Sequence, residues 1–88
     1  MNLYDYCDAI NADIEVHYCN HRNPRWYASL KHCEIKCDGV LIGVLGDGDT
    51  SEEAIKDMVN KINGKQIVFD AYNKKYRREF DVPTTLTL

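Results

Sequence analysis

The segment Gly46-Asp47-Gly48-Asp49-Thr50-Ser51-Glu52-Glu53 constrains this chain more than any other, because the chemistry of a helix start is written into it. Thr50 followed three residues later by Glu53 is a capping box: the hydroxyl accepts the amide of the third helical residue and the carboxylate reaches back. Acidic Glu52 and Glu53 suit the positive end of the helix dipole. Apolar residues then recur at Ile55, Met58, Val59 and Ile62, the stripe of an amphipathic helix. Asn63-Gly64 supplies the stop, since glycine takes the left-handed conformation without strain. The pattern predicts a helix over 51–63.

Upstream the period changes from helical to two. Ile14, Val16 and Tyr18 alternate with Glu15, His17 and Cys19; Trp26, Ala28 and Leu30 alternate with Tyr27, Ser29 and Lys31. Each run implies one buried face, with Trp26 and Tyr18 in the core, and residues 20–25 joining the two as a hairpin. Residues 40–45 are apolar almost throughout, as a central strand would be. Leu3, Cys7 and Ile10 fall at helical spacing and predict a short opening helix over 2–11. Residues 66–69 and 77–82 are further, shorter strand candidates. The expected fold is α+β: a short N-terminal helix, a three-stranded antiparallel meander, an amphipathic helix packed on one face of the sheet, and short C-terminal strands.

A length of 88 residues predicts one domain over 1–88, with 83–88 a loose tail after Pro83. A hydrophobic content of 44% with a net charge of −3 fits a globular chain rather than a disordered one. No apolar run approaches the roughly 20 residues that span a bilayer, and Met-Asn-Leu-Tyr-Asp-Tyr lacks both a basic and a greasy leader region. The expected location is cytoplasmic. There thiols stay reduced, so the cysteines read as metal ligands or buried free thiols rather than as a disulfide framework.

All the cysteines and histidines lie in the first 37 residues. Cys19-x-His21 followed by Cys33-x-x-x-Cys37 offers thiolate and imidazole in two close pairs, the usual supply for a tetrahedral structural zinc. A domain this small buries only about 60–65% of its unfolded surface, so a metal clip would supplement its core. A simple hairpin turning near Arg22 would leave Cys33 about 25 Å from Cys19, however. The quartet Cys19, His21, Cys33 and Cys37 then needs the 31–37 loop to fold back or the first strand to end early. Otherwise Cys7, His32, Cys33 and Cys37 gather at the other end, with His17 a further candidate ligand. Cys7, at helical spacing with Leu3 and Ile10, also reads as a plain core thiol.

Nothing completes a catalytic constellation. The chain has neither the His-Glu-x-x-His of metalloproteases nor the paired motifs of zinc deaminases. Asp47-Gly48-Asp49 lacks the remainder of a calcium loop and reads as the turn into the helix cap. The expected protein is a binding module rather than an enzyme. Two charged stretches are its candidate contact surfaces. Glu52, Glu53 and Asp57 mark an acidic helix face suited to a basic nucleic-acid channel, while Lys74, Lys75, Arg77 and Arg78, with Tyr72 and Tyr76, mark a basic one that could meet phosphate and bases. Net negative charge favours the first. Tyr4, Tyr27, Tyr72 and Tyr76 supply the aromatic character of protein interfaces.

Two resemblances add to this reading. The stretch from Trp26 to Ile62, with Gly48-Asp49-Thr50-Ser51-Glu52-Glu53-Ala54 at its centre, resembles the HicB-like, partial double-stranded-RNA-binding-like fold, which implies an antitoxin-like or nucleic-acid-binding accessory module. The whole-chain pattern resembles small phage and prophage proteins: the tryptophan strand, Gly46 to Ile55, Asn63-Gly64-Lys65-Gln66-Ile67-Val68-Phe69, and Arg77-Arg78-Glu79-Phe80-Asp81-Val82-Pro83. With its cysteine and histidine enrichment it is similar to zinc-containing anti-CRISPR inhibitors of the type II-A effector nuclease. That resemblance implies a stoichiometric inhibitor in the bacterial host cytoplasm. It would bind the host nuclease, block target-DNA loading and carry no active site.

Overall fold

Seven strands and two helices follow one another in a computed structural model that describes residues 1–88. The helices are α1 (Leu3–Ile10) and α2 (Ser51–Ile62). The strands are β1 (Ile14–Tyr18), β2 (Trp26–Leu30), β3 (Cys33–Cys37), β4 (Val40–Gly43), β5 (Gly46–Gly48), β6 (Gln66–Phe69) and β7 (Arg78–Asp81). The α+β class expected from the sequence is what the structure shows. No helix is long and apolar enough to cross a membrane.

Each helix begins and ends where side-chain chemistry satisfies its free backbone groups. Asn2 Oδ1 accepts the Asp5 amide at 2.8 Å to open α1, and Asn11, at φ +56°, closes it in the left-handed conformation. At α2, Thr50 Oγ1 accepts the Glu53 amide at 3.1 Å. The Glu53 carboxylate reaches back one residue further than the simplest capping box, to the Asp49 amide at 2.9 Å. Ala54, Met58, Val59 and Ile62 turn inward along α2, and Gly64 at φ +71° lets the chain leave.

The strands divide into two antiparallel sheets, ordered β1-β2-β5 and β4-β3-β6-β7. The predicted hairpin pairs Ile14 with Leu30 and Tyr18 with Trp26. Its third strand is not the apolar 40–45 run but Gly46–Gly48, which pairs with β2 and lies beneath α2. The apolar run instead forms β4 at the edge of the second sheet, where Val40 and Ile42 are exposed, and then crosses over through buried Val44. β3 occupies the stretch expected to be a loop. Its alternation of Cys33, Ile35 and Cys37 with Glu34 and Lys36 is a strand pattern in its own right.

One buried cluster joins both sheets and both helices: Leu3, Ile10, Leu30, Met58, Ile62, Ile67 and Phe69 all belong to it. Tyr18, expected in the core, is instead exposed, with its ring edge-on to the half-buried Trp26 at 5.1 Å. The tail is also not loose. Val82 and Leu86 are buried, the Leu3 amide donates to Thr87 O at 2.7 Å, and the Thr87 amide donates to Met1 O at 3.1 Å.

Candidate functional site

The expected metal ligands are distributed through the fold rather than gathered. Cys19 lies just past β1, its amide donating to Arg25 O at 2.8 Å, and His21 is exposed in the hairpin loop. Cys33 and Cys37 stand at the two ends of β3, about 13 Å apart at the usual strand rise. Zinc holds thiolate sulfur at about 2.3 Å, so two thiols so placed cannot share one ion. The alternative set of Cys7, His32, Cys33 and Cys37 fails at the same pair. His17 is engaged elsewhere, 3.2 Å from Glu15 and stacked on Tyr27. No group of three or more His, Cys, Asp or Glu side chains has a ligating arrangement.

Two of the thiols serve the core. Cys7 is buried in α1, and Cys33 packs against the same cluster. Burial pushes the Cys33 thiol up to about 12, with the Glu34 carboxylate and Cys7 adding to the effect. Burial likewise pushes Cys7 up to about 11, helped by Asp8 and Asp13. A nucleophilic cysteine must be a thiolate, and these two are held protonated at neutral pH. Cys33 Sγ has the carbonyl of Glu34 as its partner, at 3.9 Å.

The charged residues sort by whether the fold already uses them. On the acidic side, Glu53 caps α2, and Asp57 accepts the Asp47 amide at 2.8 Å and pairs with Lys61 at 3.1 Å. Lys61 and Asp57 thus fasten β5 to α2, and Arg22, which also pairs with Asp47, fastens β5 to the β1–β2 loop. Glu52 alone of the three candidate acids enters no ion pair or side-chain hydrogen bond. On the basic side, Arg78 donates to Ile10 O at 2.6 Å and lies over the rings of Phe69 and Phe80. Arg77 donates to Ala71 O at 3.0 Å and pairs with Glu79 at 3.5 Å. Lys74 and Lys75 make no ion pair; they sit in the exposed 70–77 loop with Tyr72 and Tyr76.

The surface with most free chemistry runs along the outer side of β4. The inward face of the second sheet, which buries Ile67 and Phe69, continues through Ile35 to Ile42 and Val40, and there it is uncovered. Leu45 extends the patch at 45% exposure. Residues 43–45 form a ridge between two depressions. One, of about 450 Å³, runs from Ile35 and Ile42 to Arg22 and Lys61. The other, of about 700 Å³, opens between the end of β2, the start of β3 and the turn after β6, with Tyr72 at its rim. Tyr72 is the most exposed large apolar side chain of all, at 88%.

Sequence reasoning missed this surface because it placed the 40–45 run in the interior. The available signal was Asp38-Gly39 before the run and Gly43 within it, marks of a hairpin and a strand end rather than of a central strand. Compared with family models, curated proteins and solved structures, the chain matches none.

Proposed function

We propose that the protein is a protein-binding module that acts by occupancy, as a stoichiometric inhibitor of the kind its anti-CRISPR resemblance implies. Its target would be a type II-A effector nuclease, and its effect would be to keep target DNA from loading. The observation that carries a protein partner is the exposure of the large apolar side chains Val40, Ile42 and Leu45 on and just past β4, with Tyr72 sharing a groove with Leu45. Contiguous apolar surface rimmed by charge is the mark of an interface with protein. The protonation of Cys33 weighs against cysteine catalysis in the neighbouring groove.

The test mixes purified protein with a type II-A nuclease–guide complex, followed by size-exclusion chromatography and a DNA-loading assay. One inhibitor should co-elute per nuclease complex and DNA binding should be lost. Ile42→Asp and Leu45→Asp should abolish both effects while leaving the circular dichroism spectrum unchanged. Absence of a complex at micromolar concentration would reject this partner.

A nucleic-acid-binding or antitoxin-like accessory role is the second reading. Lys74, in no ion pair, and Lys75, whose ammonium lies 5.3 Å from the centre of the Tyr76 ring, favour it together with Tyr72, as a loop able to meet phosphate and stack on bases. Binding to bare RNA or DNA with a steep dependence on salt would select it.

A further inference from the structure

β4 is a sheet edge that lacks the usual guards of an edge. The other edge strands carry charge: Glu15 in β1, Asp47 in β5, and Arg78, Glu79 and Asp81 in β7. β4 reads Val40-Leu41-Ile42-Gly43, with neither a charge nor a proline, and Val40 and Ile42 are exposed. Charged residues and proline are what keep an open edge from pairing with another chain.

The turn that opens β4 determines which of its backbone groups are free. Asp38 at φ +51° and Gly39 at φ +80° form the two-residue primed turn of a hairpin. The flanking residues, Cys37 and Val40, are then a hydrogen-bonded pair, and bonded and non-bonded pairs alternate along the ladder to β3. Val40 and Ile42 therefore direct their N–H and C=O groups toward β3, whereas Leu41 and Gly43 direct theirs outward. β3 is the only neighbour of β4, and neither outward residue enters a backbone bond elsewhere.

We infer that this edge receives β4 of a second copy of the chain, antiparallel, about a two-fold axis at Ile42. That axis sets Leu41 of each copy opposite Gly43 of the other, so every outward N–H and C=O of both strands finds a partner. An axis at Leu41 would instead set Gly43 opposite Gly39, in the turn, and leave it unpaired. The two Ile42 side chains meet in a non-bonded pair, the closer kind. Leu41 lies beside Gly43 of the second copy, where open space surrounds the position of a Cβ. Charge agrees with this register. On β3, Lys36 stands opposite Leu41 and Glu34 opposite Gly43. In the joined sheet, Lys36 of one copy and Glu34 of the other share a row, about 14 Å apart across three strand spacings. At that range the attraction is mostly screened and favours the register rather than the affinity. The inference goes beyond the nuclease reading and does not depend on it.

The test is sedimentation equilibrium of the purified chain up to about 1 mM. A contact this small should give a reversible dimer with a dissociation constant on the order of 0.1 mM. Leu41→Pro removes an outward N–H that β3 does not use, so the circular dichroism spectrum should persist while dimerisation weakens about tenfold or more. Leu41→Lys, which restores a charged edge, should do the same. Cross-linking reads the register. In a Cys19→Ser/Cys37→Ser chain, Ile42→Cys should form a disulfide-linked dimer under oxidised glutathione, because a non-bonded pair brings its Cα atoms to about 4.5 Å. Val40→Cys should not, since the register puts it four residues from its counterpart, about 14 Å along the strands. Dimerisation unchanged by both Leu41 variants, or Val40→Cys cross-linking as readily as Ile42→Cys, would overturn the inference. So would a chain that stays monomeric at about 1 mM, ten times the expected dissociation constant. If Leu41→Pro in such a monomer also abolished nuclease capture, the edge would belong to a strand of the nuclease instead.

Discussion

Gly46 and Met58 are so close that a Cβ built on Gly46 would stand 2.6 Å from the Cβ of Met58. The same atom would also collide with the Ala54 carbonyl, and a Cβ on Gly48 would meet the Ala54 amide at 2.5 Å. β5 can therefore pass this close beneath α2 only because Gly46 and Gly48, the residues that meet the helix, carry no side chain, and it still pairs with β2.

Gly46→Ala should be among the most damaging small substitutions in the chain, because the obstructing atoms are backbone and cannot rotate away. A cost of about 2–4 kcal/mol is expected from overpacking of this kind. Gly39→Ala offers the control: open space surrounds its Cβ and its cost comes from φ +80° alone, about 1 kcal/mol. Denaturant midpoints of the two variants should differ in that order. Equal midpoints would mean that α2 does not lie on β5 as described.

Thr50→Ala should remove the acceptor of the Glu53 amide and cost about 0.5–2 kcal/mol. Thr50→Ser should restore most of it, since a hydroxyl is all that the cap needs. A wild-type midpoint for Thr50→Ala would show that α2 draws its stability wholly from its buried face.

The helices were readable because their determinants are local. Asn2 and Thr50 cap through residues three positions away, and the stripe from Ile55 to Ile62 repeats within one element. The second sheet was not, because what divides β4 from β5 is distant. Val40 to Leu45 is apolar whether it lies in the interior or at an edge; only its pairing to β3 alone makes it an edge. Cys33 and Cys37 carry both a ligand spacing and a strand alternation, and the alternation decides the geometry. The acids and bases show the same limit. Charge composition marked Asp57 and Arg78 as contact candidates, but their bonds to Asp47 and Ile10 cross 10 and 68 positions of sequence.

The thiols should react at rates set by their exposure. Exposed Cys37 should be alkylated within minutes at pH 8, half-buried Cys33 more slowly and buried Cys7 only on unfolding. Their raised values set the sign of the alkaline response: the folded state holds both protons more tightly than the unfolded chain, whose thiols titrate near 9.0. Stability from this source is complete below pH 9 and declines as pH rises toward about 11 for Cys7 and about 12 for Cys33. The same chemistry tests the zinc expectation. With β3 intact, Cys37→Ser should shift stability by less than about 0.5 kcal/mol, as exposed substitutions do. One zinc per chain by elemental analysis, lost in that variant together with several kcal/mol, would require β3 to be rebuilt around the metal.

Asp57→Ala should cost about 1–2 kcal/mol at pH 7. It leaves the Asp47 amide without its acceptor and removes a half-exposed pair with Lys61, the second contribution being the smaller. The hydrogen bond donated by the Asp47 amide, then Lys61, holds the Asp57 carboxyl below its ordinary value, against an opposing effect of burial. A lowered value stabilises the fold above the ordinary carboxylate range and loses that contribution as pH falls through the folded value. The gap between wild type and Asp57→Ala in urea should therefore narrow below about pH 4. A gap independent of pH would mean that the ionised form of Asp57 contributes nothing.

Leu86 gives the last test, because it separates a packed terminus from a loose one. Its side chain is 3% exposed within the common core, its amide donates to Asn63 Oδ1 at 3.3 Å, and its neighbour Thr87 bridges to Asn2. Leu86→Ala should therefore cost about 2–5 kcal/mol, as truncations in a closed core do. Leu88→Ala, at 38% exposure, should cost less than about 1 kcal/mol. Removing residues 83–88 should lower the melting temperature more than Leu86→Ala, since it also frees the backbone of Met1 and Leu3. If the truncated chain melts with the wild type, the terminus does not close the core and α1 is held by the second sheet alone.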